Sequence, residues 1–165
     1  MKYYFLLATI LFVQISFSQD IPSELKKYNK GIDVTHSKDT IYAELYKGNK
    51  ANRKKYLWRY KTSVKAENKE LKIIEFGGYN KIDSIWVSTT IYDRPFNNSE
   101  FAKWYGCENG ILTIGKVFTD KNNWTTSDYL DGQTKTGIWY YIGIDSKGEK
   151  FIGFKEYVLV GKLNE

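Results

Sequence analysis

Cysteine and histidine are almost missing from this chain, which has Cys107 and His36 alone in 165 residues. A single cysteine cannot form an intramolecular disulfide, so packing must stabilise the fold. A structural zinc site needs four cysteine or histidine ligands and is therefore excluded. A nucleophilic enzyme with a histidine base would depend on His36, and no local catalytic signature surrounds either residue. We therefore expect no cofactor, assign no catalytic residue, and favour a protein without catalytic activity.

Proline and long apolar runs are also scarce. The chain has two prolines and no internal repeat, while 42% hydrophobic and 17% aromatic residues exclude a disordered or linker-like protein. The apolar run of residues 3–13 is far below the roughly 20 residues that span a bilayer, so no transmembrane segment is expected. Lys2 precedes this run, and Ser16 and Ser18 follow it, which is the pattern of an export signal cleaved after Ser18.

The rest of the chain predicts an all-β domain. We expect a signal peptide over residues 1–18, an N-terminal arm over 19–30 and a single β domain over 31–165, in a protein exported to the periplasm or the extracellular space. Beyond the arm, short runs rich in Val, Ile, Thr and aromatic residues alternate with Gly, Asn, Asp and Lys clusters, as in all-β domains. The exception is a short helix over 99–105, capped by Asn98 or Ser99 and ended by Gly106.

The clearest strand runs from Tyr56 to Lys65, where aromatic and apolar residues alternate with mostly basic ones. The polar segment 66–70 and a second strand over 71–76 predict a β-hairpin, which resembles the hairpins of immunoglobulin-like domains in general architecture. The fold is therefore predicted to be an antiparallel β-sandwich, with a small closed β-barrel as the alternative. Further predicted elements are strands over 84–92, 110–118, 137–144 and 149–160, a polar loop over 119–135 and a turn over 145–148.

A run of eight positive charges without an acid covers residues 47–65. Its outward-facing members could form a basic strip that binds a polyanion, and the residues singled out are Arg53, Lys54, Lys55, Arg59 and Lys61. The neighbouring rings of Tyr56, Trp58 and Tyr60 alternate with these charges and should lie on the opposite face. Because stacking and charge would then not cooperate, nucleic acid is disfavoured as a partner.

Four aromatic residues lie where the pattern does not force burial: Trp104, Tyr105, Trp124 and Tyr129. Exposed flat rings bind sugars by apolar contact. The function that we predict is therefore an exported, non-catalytic binding module that contacts a glycan or an envelope protein through the 119–135 loop and the 99–105 helix. Two alternatives stay open, a basic polyanion-binding module and a small secreted hydrolase using carboxylates. The first carboxylate candidate for the hydrolase is Glu75, which strand alternation places on the same face as Leu71 and Ile73. Oxygen ligands in the 119–135 segment leave calcium as a minor possibility.

Overall fold

The structure is a computed structural model that describes residues 20–51, 53–89 and 91–164. The predicted signal peptide of residues 1–18 lies outside these described residues. Strands account for 55% and helices for 10% of them, which confirms the all-β prediction with one short helix. The elements are β1 (Asn29–Lys30), β2 (Ile32–His36), β3 (Thr40–Leu45), β4 (Tyr56–Ala66), β5 (Leu71–Ile82), β6 (Ile85–Ser88), β7 (Phe96–Asn97), α1 (Asn98–Tyr105), β8 (Ile111–Leu112), β9 (Phe118–Ser127), β10 (Thr134–Ile144) and β11 (Lys150–Leu163), with 3₁₀ turns at Ser23–Leu25 and Glu108–Gly110.

The strands form one curled, mixed sheet that makes a half-barrel. Its main path runs β2-β4-β3-β11-β10-β5-β6, and β9 adds to the other side of β4. Strand β3 makes this continuity possible, because its first four residues pair in parallel with β11 and its last two residues pair antiparallel with β4. The predicted β-sandwich is not confirmed, since the ladders form a single sheet, and a half-barrel is also not the closed barrel of the alternative.

The predicted hairpin of residues 56–76 is wrong, although both of its strands exist. Strand β4 pairs with β2, β3 and β9, whereas β5 pairs with β10, β6, β7 and β8. The segment that joins them therefore crosses from one flank of the curled sheet to the other. A polar connection between two alternating strands does not reveal whether the strands are neighbours, and this error led to the two-sheet prediction.

Strand β10 is central and is covered on both faces, as its apolar pattern predicts. On the inner face, Tyr141 packs with α1 in the largest hydrophobic cluster, and Trp139 links that cluster to a second one around Trp58 and Tyr60. On the outer face, Tyr140 packs in a third cluster with Leu25 of the N-terminal segment. The Asp145–Gly148 turn joins β10 to β11 in an antiparallel hairpin, with Gly148 at φ 84°.

Helix α1 lies between the two ends of the curled sheet, where it contacts β5 and β9. Its cap is Asn97, one residue before the two predicted candidates. The Asn97 side chain accepts the Glu100 backbone N–H at 3.1 Å, and the Glu100 carboxylate accepts the Asn97 backbone N–H at 2.7 Å. This reciprocal capping box satisfies two backbone donors of the first turn. Gly106 ends the helix in the left-handed conformation, as predicted.

Three predicted segments differ from the structure. The strand over 84–92 is reduced to the four residues of β6, because Ser84 belongs to a turn with positive φ and the ladder with β5 ends at Ser88. The strand over 110–118 contains only the two residues of β8 before a turn. The 119–135 segment was predicted to be a loop and is mostly strand. Residues 119–127 are part of β9 and pair with β4, and only residues 128–133 connect β9 to β10.

Candidate functional site

The two-residue alternation of β4 is confirmed, and it sets the character of both faces. Trp58 and Tyr60 are 7% and 5% exposed on the inner face, while Arg59 and Lys61 are exposed on the outer face. The Trp58 indole N–H donates to the Val160 carbonyl at 2.8 Å, which holds the ring inside the half-barrel. The basic side chains therefore project from a strand that is anchored from within.

Strand β9 brings a tryptophan to the same outer face. Trp124 is the direct partner of Arg59 in the antiparallel ladder, and directly paired residues project to one side of a sheet. One position away, Asn123 pairs with Tyr60 and is buried on the inner face. Aromatic and basic side chains thus share a face here, contrary to the expectation drawn from Tyr56, Trp58 and Tyr60 alone.

Arg53 lies against Trp124. Its guanidinium carbon is 3.0 Å from the centroid of the indole ring, a cation–π contact. The loop that carries Arg53 is fixed at the next residue, where the Lys54 backbone N–H donates to the Thr126 hydroxyl at 2.8 Å. Thr126 in turn donates to the Tyr56 carbonyl at 2.8 Å, so the loop, β9 and β4 are joined.

We call the surface formed by Arg53, Lys54, Lys55, Arg59, Lys61 and Trp124 the basic face. Acids from neighbouring segments partly neutralise it: Lys54 pairs with Asp128 at 3.2 Å, and Arg59 pairs with Glu44 at 3.4 Å. In the part of the chain that the structure describes, Lys55 and Lys61 have no carboxylate partner within 4 Å. The basic face therefore keeps a net positive charge. This charge is smaller than the acid-free run of residues 47–65 suggests, because acids from other segments lie beside it.

Sequence reasoning missed Lys121, which lies beside the basic face. A register shift places Lys121 and Asn122 of β9 opposite the single residue Lys61 of β4, so the two lysines come together at a β-bulge. Lys121 is exposed. No signal in the sequence marks the bulge, because the register is set by the pairing of β4 with β9.

The structure separates the four aromatic residues that were predicted to share a site. Tyr105 is buried, and its hydroxyl forms a hydrogen bond with that of Tyr141. Trp104 is half-buried, with its ring centroid 4.7 Å from that of Phe96. Both residues of the helix therefore belong to the core that fills the half-barrel. The Tyr105 ring is therefore closed to a sugar, whereas the Trp104 ring keeps part of its surface exposed.

Tyr129 is the most exposed of the four, at 72%. It lies in the short connection between β9 and β10, and no ring or cation packs on it within the described residues. It is an isolated ring on the surface, in contrast to the half-buried Trp124. Exposed single rings are common and do not by themselves define a site.

A polar network lies directly beneath the basic face. The Thr62 hydroxyl is 3.0 Å from His36 Nδ1 and accepts the Asn123 side-chain amide at 2.9 Å, while His36 Nε2 is 3.3 Å from the Lys155 carbonyl. A carbonyl can only accept, so the proton of the neutral ring belongs on Nε2, and Nδ1 accepts from Thr62. Burial lowers the pKa of His36 to about 4. The ring is neutral at pH 7, and the network as a whole joins β2, β4, β9 and β11.

The residues considered for catalysis have structural partners. The pairing of β5 with β10 skips Ile74, which places Glu75 on the opposite face from Ile73, where it accepts the Tyr140 hydroxyl at 2.9 Å. The prediction that Glu75 shares a face with Leu71 and Ile73 is therefore wrong. Cys107 is buried and donates to the Ile111 carbonyl, and burial raises its pKa to about 11. A thiol with that pKa is a poor nucleophile at neutral pH.

Comparison with known proteins assigns no family. No protein-family model matches the chain, and a search of curated proteins gave no significant match. Among residues 20–51, 53–89 and 91–164, no three His, Cys, Asp or Glu side chains are grouped closely enough to hold a metal ion. Within the same residues, none of the helices has the length and apolar character needed to cross a membrane.

Proposed function

We propose that this protein is a non-catalytic module that binds an acidic polysaccharide on its basic face. One observation carries the proposal: Trp124 lies opposite Arg59 on the outer face, with the Arg53 guanidinium packed on its ring. The proposal keeps Trp124 of the predicted 119–135 segment and does not use the 99–105 helix. It unites the glycan and polyanion hypotheses in a single ligand, an anionic glycan.

The charge arrangement supports an extended ligand. Successive outward residues of a strand are about 7 Å apart, so Arg59 and Lys61 present a line of cations along β4, and Lys121 adds a third beside it. A polymer with regularly spaced anions could contact several of them at once. The ion pairs with Glu44 and Asp128 are exposed, and such pairs contribute at most about 1 kcal/mol, so a polyanion can displace them.

The aromatic arrangement favours a glycan over single-stranded nucleic acid. Proteins that bind single strands stack successive bases on several exposed rings. The basic face offers one ring, Trp124, and an arginine already occupies a face of it. Trp58 and Tyr60 are buried on the inner face, and the half-buried Tyr56 has the Lys55 ammonium group 5.2 Å from its ring centroid. The predicted export signal adds that the protein would meet acidic polysaccharides outside the cell.

The test is the affinity of the full mature chain for two purified polymers, heparin and polygalacturonate, measured by calorimetry. We expect binding that weakens as NaCl rises from about 50 mM to about 200 mM, because released counterions drive it. The triple variant Lys55→Ala, Arg59→Ala, Lys61→Ala should lose at least tenfold in affinity.

A matched control removes three exposed lysines elsewhere: Lys103→Ala, Lys147→Ala and Lys150→Ala. It changes the net charge by the same amount and should bind nearly as well as the wild type. If both triple variants lose affinity equally, binding depends on overall charge and the basic face is not a site. If the wild type binds neither polymer, the proposal is wrong.

A further inference from the structure

Within the basic face, Arg53 differs from the other cations in how it is held. Lys54 and Arg59 have carboxylate partners, whereas the Arg53 side chain makes no hydrogen bond to any described residue and is fixed by the ring of Trp124. An arginine that is held in place without using its donors keeps them for something else. Packing on a ring holds a guanidinium group in place and leaves its N–H groups free to donate hydrogen bonds.

The donors of Arg53 are not equally accessible. Nη1 is buried and has no hydrogen-bond partner. Nε and Nη2 are not buried in this way. The accessible edge of the guanidinium therefore presents two neighbouring N–H groups, which is the edge that pairs with two oxygens of one anion. Arg59 stands nearby, and burial together with its positive charge lowers the pKa of Arg53. An anion placed between the two guanidinium groups would relieve this repulsion.

We infer that Arg53 is the specificity-determining residue of the basic face, receiving a two-oxygen anionic group of the polysaccharide on its Nε–Nη2 edge, with Trp124 as the residue that positions it. The inference rests on the proposed function. It also changes the role of Trp124, whose ring face is covered by Arg53 and serves the arginine. The anionic group is a carboxylate of a uronic acid or an ester sulfate, both of which offer two oxygens.

The experiment uses variants that keep the net charge. Arg53→Lys retains the positive charge and loses the planar pair of donors, so we expect affinity for the preferred polymer to fall about five- to tenfold. Arg94→Lys is the matched control, because Arg94 pairs with Glu100 away from the basic face. Polygalacturonate offers only carboxylates and heparin offers mainly sulfates, so the polymer with the larger loss identifies the group.

Two tryptophan variants test the positioning role. Trp124→Ala removes the ring and should weaken binding as much as Arg53→Lys, and the double variant should add little further loss because the two residues act as one unit. Trp124→Phe keeps a ring under the guanidinium and should retain most of the affinity. Far-ultraviolet circular dichroism confirms that each variant is folded.

The outcomes separate the two proposals. If Arg53→Lys binds like the wild type while the Lys55, Arg59, Lys61 triple variant does not, the basic face stands and the role of Arg53 is wrong. If Trp124→Ala loses affinity but Arg53→Lys does not, the ring contacts the polymer directly and the inference is again overturned. If the wild type binds neither polymer, both proposals fail together.

Discussion

Trp104 and Trp124 have the same side chain, the same half-buried exposure and opposite surroundings. Trp104 packs edge-on against the rings of Phe96 and Phe76 at the helix that fills the half-barrel. Trp124 packs against the guanidinium of Arg53 on the outside of the sheet. The comparison teaches that ring content does not locate a binding site. The two residues differ in what packs on the ring, which is other aromatic rings for Trp104 and an arginine for Trp124.

The inner region is built for stability. Phe76 lies at the centre of an aromatic cluster, stacked on Tyr141 at 5.7 Å and edge-on to Phe101 at 5.6 Å. Burial raises the pKa of Tyr105 and of Tyr141 well above the usual value, so both hydroxyls stay protonated and can share their hydrogen bond. The outer region has polar, exposed partners and correspondingly little to lose from substitution.

The largest expected effect is at Tyr105, in the inner region. Tyr105→Ala should lower the free energy of unfolding by about 3–5 kcal/mol, because it opens a cavity and leaves the Tyr141 hydroxyl without its partner. The control is Tyr129→Ala, an exposed tyrosine whose loss should change stability by less than about 0.5 kcal/mol. Urea denaturation measures both, and equal values would remove the distinction between the two regions.

The network beneath the basic face should make stability depend on pH. The folded pKa of His36 is about 4, below its unfolded value of 6.5, so between these pH values the unfolded chain binds a proton that the folded chain does not. The stabilisation is complete above pH 6.5 and is lost as pH falls towards 4, by up to about 3 kcal/mol. Urea titrations at several pH values on the wild type and on His36→Gln isolate this contribution, because carboxylates affect both proteins alike.

The outcome that would contradict this prediction is a constant difference in stability between the wild type and His36→Gln from pH 7 to pH 4. Charged groups near the ring are Lys155 and Asp39, whose side chains pair with each other at 3.1 Å. Asp39→Asn should therefore lower the His36 pKa further, since the favourable acid is removed. Nuclear magnetic resonance titration of the imidazole protons measures that shift.

The helix cap should have a smaller effect. Asn97→Ala removes one side of the capping box and should cost about 1 kcal/mol. Ser99, the second residue of the same helix, is exposed and its side chain makes no capping hydrogen bond. Ser99→Ala should therefore be nearly neutral. Thermal unfolding of the pair checks the assignment of the cap, and a larger loss for Ser99→Ala would favour the cap predicted from the sequence.

Apart from the control variants, the smallest expected effect on stability is at Trp124. Trp124→Ala should cost about 1 kcal/mol or less, because it removes a surface cation–π contact, whereas Trp104→Ala should cost more than about 2 kcal/mol. Binding should show the reverse order, with the loss confined to Trp124→Ala. Stability and affinity are measured on both variants. The distinction between the two tryptophans is wrong if the variant that loses more stability also loses more affinity.

Local patterns predicted much of this fold. The alternation of β4, the two-sided apolar character of β10, the helix and the Asp145–Gly148 turn are all encoded in neighbouring residues. The outward direction of Arg59 and Lys61 follows from the same alternation. These features need no knowledge of which strand lies beside which.

Features set by distant pairing could not be predicted. The position of β4 away from β5 depends on partners far along the chain. Strand β9 was hidden because its inward residues include the polar Asp120 and Asn123, which pair opposite Thr62 and Tyr60, and because a bulge interrupts its alternation. Burial raises the pKa of Asp120, which is unusual for a residue in a segment that resembled a loop. The error at Glu75 has the same origin, since one bulged residue exchanges the faces of a strand.

The most direct test maps the contact surface residue by residue. Backbone amide shifts of the labelled protein, followed during titration with a heparin or polygalacturonate oligosaccharide, should change along residues 53–61 and 121–126. The helix over 98–105 and the turn residues 129–133, which follow the Lys54 partner Asp128, should change little. Shifts concentrated in the helix or that turn, with β4 and β9 unaffected, would contradict the account.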